Sequence, residues 1–101
     1  LTLHRFAGLT LNLTTREVRR DGRRIELSPR EFALLECLMR TPGKVVTRVE
    51  ICQTVWSYQF DPGTNFVDVA VQRLRRKVDD PFPVKLIQTV RGVGYALQID
   101  A

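Results

Sequence analysis

The segment "NFVDVAVQRLRRKVDD", residues 65–80, decides the fold because it carries two competing patterns. As a strand, its alternating valines would share one face, but the alternation fails at Arg73. As a helix turning about 100° per residue, it gathers its apolar side chains in one narrow stripe: Val67, Val71, Leu74 and Val78. The helical pattern spans the whole segment, so the sequence predicts a helix over about 65–79, capped by Thr64 or Asn65.

The face opposite this stripe has the composition of a surface that reads a DNA major groove. Its members, with two flanking residues, are Asn65, Phe66, Val69, Gln72, Arg73 and Arg76. In the major groove arginine forks to guanine, amides pair with adenine, and small apolar groups meet the thymine methyl. A solvated basic helix face is the competing interpretation.

Two further cations lie at the edges of the same helix. Arg75 shares an edge with Asp68 and lies four residues before Asp79, so we expect it to stabilise the helix rather than read bases. Lys77 lies nearer the apolar stripe, which suits contact with a phosphate or with water.

The chain begins with a pattern typical of a small antiparallel sheet. Residues 1–27 form short alternating segments that predict three or four strands, and Asp21-Gly22 is a strong signal for a tight hairpin turn. We expect the arginines of this region to form its solvated face: Arg16, Arg19, Arg20, Arg23 and Arg24.

Start signals for two more helices follow the predicted sheet. Capping boxes at Ser28–Glu31 and Thr47–Glu50 predict helices over about 29–40 and 48–56. The apolar side of the second would be formed by Val49, Ile51, Cys52, Val55 and Trp56. The tripeptide "KVV" between the two helices reads as a short strand or an extended link.

The C-terminal part predicts a β-hairpin over about 85–99, with Arg91 at its tip and Tyr95, Leu97 and Ile99 on one side. Sheet, two helices, a basic helix and a hairpin occur in the order of an α+β winged helix-turn-helix. In that fold the third helix enters the groove of DNA and the hairpin forms the wing.

Length and composition limit the remaining choices. A chain of 101 residues suits one domain, residues 1–101, and its first residue, Leu1, suggests a fragment or a processed piece. Its net charge is +5, carried mostly by arginine, which favours a nucleic-acid partner. No apolar run approaches the ~20 residues of a membrane helix, and we expect no membrane contact and a cytoplasmic protein.

The reactive residue types do not form a catalytic or metal-binding pattern. Cys37 and Cys52 are expected to be buried free thiols, and the chain contains no CxxC motif and a single histidine, His4. It also lacks Cys/His or Ser/His/Asp sets and a phosphate-binding glycine loop. We therefore expect no metal, no cofactor and no enzymatic activity.

Four segments together resemble the winged-helix effector domain of OmpR/PhoB-type response regulators. They are "LSPREFALLECL", "VVTRVEICQTVW", "VDVAVQRLRRKVDDP" and "LIQTVRGVGYAL". The resemblance covers essentially the whole chain, and the wording from Asp79 to Tyr95 looks most like the branch that responds to copper or other heavy metals.

This resemblance implies a transcription factor of bacterial two-component signalling. The full protein would carry a receiver domain, absent from this chain, that is phosphorylated by a sensor kinase. Such domains bind double-stranded DNA head-to-tail on direct repeats. The loop after the second helix would face RNA polymerase, and here it includes Ser57, Tyr58, Gln59, Phe60 and Asp61.

The resemblance also assigns contacts on DNA. Base reading would fall to the exposed face of the third helix, and Arg91 would reach the minor groove. Together with Lys77, the DNA-backbone contacts would be Arg48, Trp56, Thr89 and Tyr95. Trp56 is equally suited to the core, and Tyr95 better suited to it. The chain departs from common family usage at Asn65, Phe66 and Gln72, so the operator sequence stays open. A protein-interaction module that binds an acidic partner is the second hypothesis, and RNA binding a distant third.

Overall fold

The computed structural model describes residues 2–57 and 65–99, which form seven strands and three helices. Four strands precede the helices: β1 Leu3–Phe6, β2 Leu9–Asn12, β3 Val18–Arg20 and β4 Arg23–Ile25. The central elements are α1 Pro29–Met39, β5 Val46–Thr47, α2 Arg48–Trp56 and α3 Phe66–Val78. The C-terminal hairpin consists of β6 Ile87–Val90 and β7 Gly94–Leu97. The predicted winged helix-turn-helix is confirmed.

The N-terminal strands form an antiparallel sheet in the order β1-β2-β3-β4. Asp21 and Gly22 have φ values of 52° and 81°, and Arg20 pairs with Arg23 across them. Two consecutive positive φ angles match the twist of a two-residue hairpin, and Asp-Gly tolerates them. The hairpin predicted at this dipeptide is confirmed, and the sheet has four strands.

Arg20 corrects the expectation that all arginines of this sheet are solvated. Val18 and Arg20 share the inner face of β3, because side chains two residues apart point the same way, and Arg20 is only 2% exposed. Its guanidinium donates to the carbonyl oxygens of Val78 and Val84 and lies 4.7 Å from the centroid of the Phe82 ring. It thereby caps the C-terminal end of α3, where helix carbonyls have no intrahelical partner.

The start signals of α1 and α2 are both confirmed. The hydroxyl of Ser28 accepts from the backbone N–H of Glu31, whose carboxylate accepts from the N–H of Ser28. Thr47 and Glu50 make the same reciprocal pair. On α2 one expectation is wrong: Val49 is 40% exposed, since it lies in the capped first turn, on the side of the helix that faces solvent.

Helix α3 begins and ends one residue inside the predicted 65–79. Asn65 is its N-cap residue, without a side-chain capping hydrogen bond. The predicted stripe is confirmed, since its four members are 0–2% exposed. They join a core built from all three helices and both sheets, to which Leu9, Leu11, Leu35, Leu38, Ile51 and Leu97 also belong.

The hairpin joins a second antiparallel sheet of order β5-β7-β6, and only the last residue of "KVV", Val46, belongs to the short strand β5. β7 is the central strand and all four of its residues are buried, whereas Ile99 is 58% exposed and lies beyond the strand. The expected alternation of Tyr95, Leu97 and Ile99 is therefore wrong. Both faces of β7 are buried because it is the central strand, and Ile99 is exposed because the strand ends before it. At Gly94 an added Cβ would lie 2.0 Å from the carbonyl oxygen of Val46, so the close approach of β5 requires glycine.

Cys37 and Cys52 are both buried, as predicted, and both are thiols rather than members of a disulfide. Burial raises the pKa of the Cys37 thiol, which favours the protonated, unreactive form. Among residues 2–57 and 65–99, no helix combines the length and the apolar composition needed to span a bilayer.

Candidate nucleic-acid interface

The face of α3 that points away from the core is exposed along its length. Asn65, Gln72, Arg73 and Arg76 are solvent-exposed, and Val69 is 39% exposed although it is apolar. An exposed surface that combines amides, guanidinium groups and a valine has the donors and the apolar contact that base edges require. The exposure predicted for these five residues is confirmed.

Phe66, the sixth candidate for base reading, is partly buried at the start of α3. Its ring meets that of Trp56 edge-on, with centroids 4.7 Å apart and planes at 89°. The guanidinium of Arg30 lies 5.5 Å from the Trp56 ring and donates to the carbonyl oxygen of Val55. Both rings border an open cavity of about 400 Å³ that is also lined by Val69 and Arg73. Trp56 therefore serves the packing of α2 against α3 while part of it stays accessible.

Asp68 joins α2, α3 and the wing. Its Oδ1 accepts a hydrogen bond from an Arg48 guanidinium nitrogen at 2.6 Å and a second one from the Tyr95 hydroxyl. Arg48 also lies 5.6 Å from the centroid of the Tyr95 ring. Tyr95 is 3% exposed, and burial together with the Asp68 carboxylate raises its pKa to about 12, so the hydroxyl remains a donor. The structure thus places Tyr95 in the core, and a phosphate contact by this residue finds no support.

Arg75 stabilises the domain, as predicted, but its partners are not the predicted ones. It donates to the carbonyl oxygen of Ile87 at 3.0 and 3.2 Å and to the hydroxyl of Thr89 at 2.7 Å. The expected partner Asp79 instead accepts from Arg20 and from the backbone N–H groups of Leu86 and Ile87. Arg75 therefore ties α3 to β6. The Thr89 hydroxyl accepts from Arg75 and keeps its own O–H donor, so its predicted contact with a phosphate remains a prediction.

Lys77 lies between α1 and α3. Its ammonium contacts Oε1 of Glu31 at 2.6 Å, with its side chain 43% exposed. Burial opposes ionisation of Glu31, but the hydrogen bonds from Lys77 and Ser28 outweigh it and lower its pKa. The structure gives Lys77 an ion pair across two helices, and its predicted contact with a phosphate remains a prediction.

The wing presents Arg91 at its tip. Arg91 is exposed in the turn between β6 and β7, and the following Gly92 has a φ of 75°, which the turn requires. Of the predicted polymerase-facing loop, Ser57 ends α2 with a left-handed backbone, φ 61°. Tyr58, Gln59, Phe60 and Asp61 lie outside the described residues.

Sequence reasoning missed the role of Asp68. The sequence indicated only that Asp68 shares a helix edge with Arg75. Its partners Arg48 and Tyr95 are 20 and 27 residues away, a distance that no periodicity reveals. Among residues 2–57 and 65–99, no group of three His, Cys, Asp or Glu side chains is arranged to hold a metal ion.

A basic helix with an open outer face, braced by two helices and followed by a wing with an arginine at its tip, defines a winged-helix DNA-binding domain. Residues 22–97 match the family described as "Transcriptional regulatory protein, C terminal". The chain belongs to this family, and its OmpR/PhoB-type character is confirmed. It is a double-stranded DNA-binding domain of transcription regulators of the response-regulator type, a family of regulators and not of enzymes.

Among curated relatives, transcriptional regulatory protein CusR of Escherichia coli strain K12 is 52% identical over 93 residues, covering 92% of this chain and 41% of CusR. PcoR of Escherichia coli is 47% identical over 98 residues, covering 97% of this chain and 43% of PcoR. The chain thus spans about two fifths of the length of these relatives.

Among solved structures, the DNA-binding domain of Klebsiella pneumoniae RstA in complex with RstA box superposes with a TM-score of 0.85 at 29% identity. The alignment covers 96% of this chain and 97% of that one.

Proposed function

We propose that α3 lies in the major groove of a promoter site and that Arg91, at the wing tip, reaches the adjacent minor groove. The observation that supports this most is the exposed face of α3, where Val69, Gln72, Arg73 and Arg76 are held outward by the buried valine and leucine stripe. The likeness to a domain solved with its DNA box favours the same arrangement.

Individual contacts are assigned by position on this surface. The exposed residues Asn65, Val69, Gln72, Arg73 and Arg76 would read bases, and Phe66 would contribute through the part of its side chain that is not buried. The backbone would be contacted from Arg48 and Trp56, at the two ends of α2.

The rest of the protein's function is inferred from its family. We propose that the chain works as the effector part of a cytoplasmic two-component response regulator, with a receiver domain, a sensor kinase and RNA polymerase as partners. It would bind direct repeats as a head-to-tail dimer, without a cofactor or a catalytic step. The likeness to CusR and PcoR favours the heavy-metal branch suggested by the sequence.

A titration of duplex DNA tests the groove assignment. The probe is a duplex that the wild-type chain selects from a random-sequence pool, and anisotropy reports binding. We expect Arg73→Ala and Arg76→Ala each to weaken binding by about 1–3 kcal/mol, where the side chain forks to a base. Arg91→Ala should weaken binding to many sequences alike. Arg5→Ala, an exposed arginine on β1, is the control and should bind as the wild type does.

The same titration separates DNA binding from the alternative of an acidic protein partner. If several phosphates are contacted, log K falls linearly with log salt concentration, by about 0.9 per contact. Wild-type affinity in all three arginine variants would overturn the groove assignment. Absence of duplex binding at low salt would favour the protein-interaction module.

A further inference from the structure

We propose that Asp68 is a positioning residue for DNA binding: its carboxylate holds Arg48 and the wing in the arrangement that meets the DNA backbone. This inference rests on the proposed function, because it concerns the same surface. Asp68 itself contacts no phosphate in it, since a carboxylate and a phosphate repel each other.

The contacts of Asp68 bridge three elements. One oxygen, Oδ1, accepts from Arg48 at the start of α2 and from Tyr95 on β7, while Asp68 belongs to the first turn of α3. Its side chain is 34% exposed and that of Arg48 36%, so the pair lies at the surface and not in the core. One carboxylate thereby fixes the helix-turn-helix pair and the wing relative to each other.

The contact with Asp68 orients the Arg48 side chain but uses only part of its hydrogen-bonding capacity. A guanidinium carries five N–H donors, and the hydrogen bond to Asp68 uses one nitrogen. The Tyr95 ring, 5.6 Å away, supports the guanidinium from the side of the wing. Within residues 2–57 and 65–99, the other side-chain donors of Arg48 have no hydrogen-bond partner. They can meet a phosphate from a side chain whose rotamer is already fixed, which lowers the entropy cost of the contact.

The wing is held by a second, neighbouring connection. Arg75, also on α3, bonds to Ile87 and Thr89 of β6 and lies 5.5 Å from the same Tyr95 ring. Asp68 secures β7 and Arg75 secures β6, so the distance from α3 to Arg91 at the wing tip is set by two connections. Contact with two adjacent grooves depends on that distance.

The direction in which DNA affinity changes when Asp68 is replaced decides whether Asp68 positions Arg48 and the wing or has no role in binding. Removing a negative charge from a DNA-facing surface should, by electrostatics alone, tighten binding. If Asp68 positions Arg48 and the wing, its removal should weaken binding in spite of the more positive charge. The two accounts predict opposite directions for the same change.

The test compares Asp68→Ala and Asp68→Asn with Asp80→Ala in the intact chain, using the duplex selected by the wild type. Asp80 is exposed two residues beyond the end of α3, so its replacement removes the same charge near the same helix. We expect Asp68→Ala to weaken binding about tenfold and to reduce the salt slope by about one, the signature of one lost phosphate contact. Asp68→Asn, whose amide oxygen still accepts from Tyr95, should fall between the wild type and Asp68→Ala. Asp80→Ala should bind as the wild type or slightly tighter.

Thermal melts identify which variants are folded, and Asp68→Asn carries the same sign test if Asp68→Ala does not fold. A folded Asp68 variant that binds as tightly as the wild type, or tighter, with an unchanged salt slope overturns the inference. If Arg73→Ala and Arg76→Ala lose affinity in the same assay, the proposed function survives that outcome. A wild-type chain that binds no duplex overturns both.

Discussion

Arg20 and Asp79 form a charged pair that is buried on both sides, each 2% exposed, with 3.1 Å between the guanidinium nitrogen and Oδ1 of Asp79. Asp79 also accepts from the backbone N–H groups of Leu86 and Ile87, so β3, α3 and the wing meet at one carboxylate. A buried pair contributes little net stability compared with apolar packing, but losing one partner leaves a charge without compensation.

Replacement of Arg20 by methionine should therefore destabilise the domain by about 3 kcal/mol, although methionine fills a similar apolar volume. The reason is that the buried carboxylate of Asp79 loses its charged partner and keeps only the hydrogen bonds from the Leu86 and Ile87 N–H groups; urea denaturation measures the loss. Arg19→Met is the matched control, because Arg19 is the neighbouring arginine on the exposed face of β3, and it should stay within about 0.5 kcal/mol of the wild type. Equal stabilities of the two variants would show that the pair does not hold the domain together.

Glu31 gives the stability a pH dependence. Its pKa is lowered in the folded state, so its contribution is present above its ordinary value of 4.5 and is lost as the pH falls through the folded pKa. Glu31→Gln keeps a side chain that suits the capping box but removes the ion pair with Lys77.

At pH 7 this variant should be less stable than the wild type by about 1 kcal/mol. The difference should shrink towards zero as the pH falls from 4.5 through the lowered folded pKa of Glu31, because below that pKa the wild-type carboxyl is protonated too. Urea denaturation at neutral and acidic pH measures both values. A difference that stays constant with pH would assign the loss to packing.

At the scale of elements, α1 and α2 begin with complete capping boxes, whereas the N-cap residue of α3, Asn65, makes no side-chain capping hydrogen bond. Helix α3 depends more on burial: its stripe of four apolar residues, 0–2% exposed, fixes it to the core. Helix α3 is thus held from its inner face and by the side-chain hydrogen bonds of Asp68 and Arg75.

The second sheet depends on one glycine. Gly94→Ala would place a Cβ 2.0 Å from the backbone oxygen of Val46, so β5 and β7 must separate. We expect a loss of stability of about 1–3 kcal/mol, measured by thermal or urea denaturation.

Gly8→Ala provides a control for this change. There the nearest atom to an added Cβ, 1.9 Å away, is Oδ1 of Asp21, a side-chain atom that can rotate aside. This variant should lose clearly less stability than Gly94→Ala. The opposite order would mean that β5 yields without cost.

At the scale of the whole molecule, the sequence predicted what depends on neighbouring residues. The capping boxes, the Asp-Gly turn and the apolar stripe of α3 are spacings of a few residues, and each is present as expected. The exposed face of α3 followed from the same periodicity, because burying one side of a helix exposes the other.

The partners of charged side chains could not be predicted in this way. Arg20 bonds to residues 58 and more positions further along the chain, and Asp68 to a tyrosine 27 positions away. Such contacts depend on how sheets and helices pack, and a basic or acidic residue gives no local sign of them. Sequence reasoning therefore assigned Arg20 to solvent and Arg75 to the wrong partners.

The burial of Arg20 also limits how many residues can be removed from the N-terminal end of this domain. The segment shared with the family begins at residue 22, two positions after Arg20. A chain trimmed to that segment would keep α3 and the wing but lose the cation opposite Asp79, together with β1, β2 and β3. We therefore expect the smallest stable folding unit to be longer than the segment by which the family is recognised.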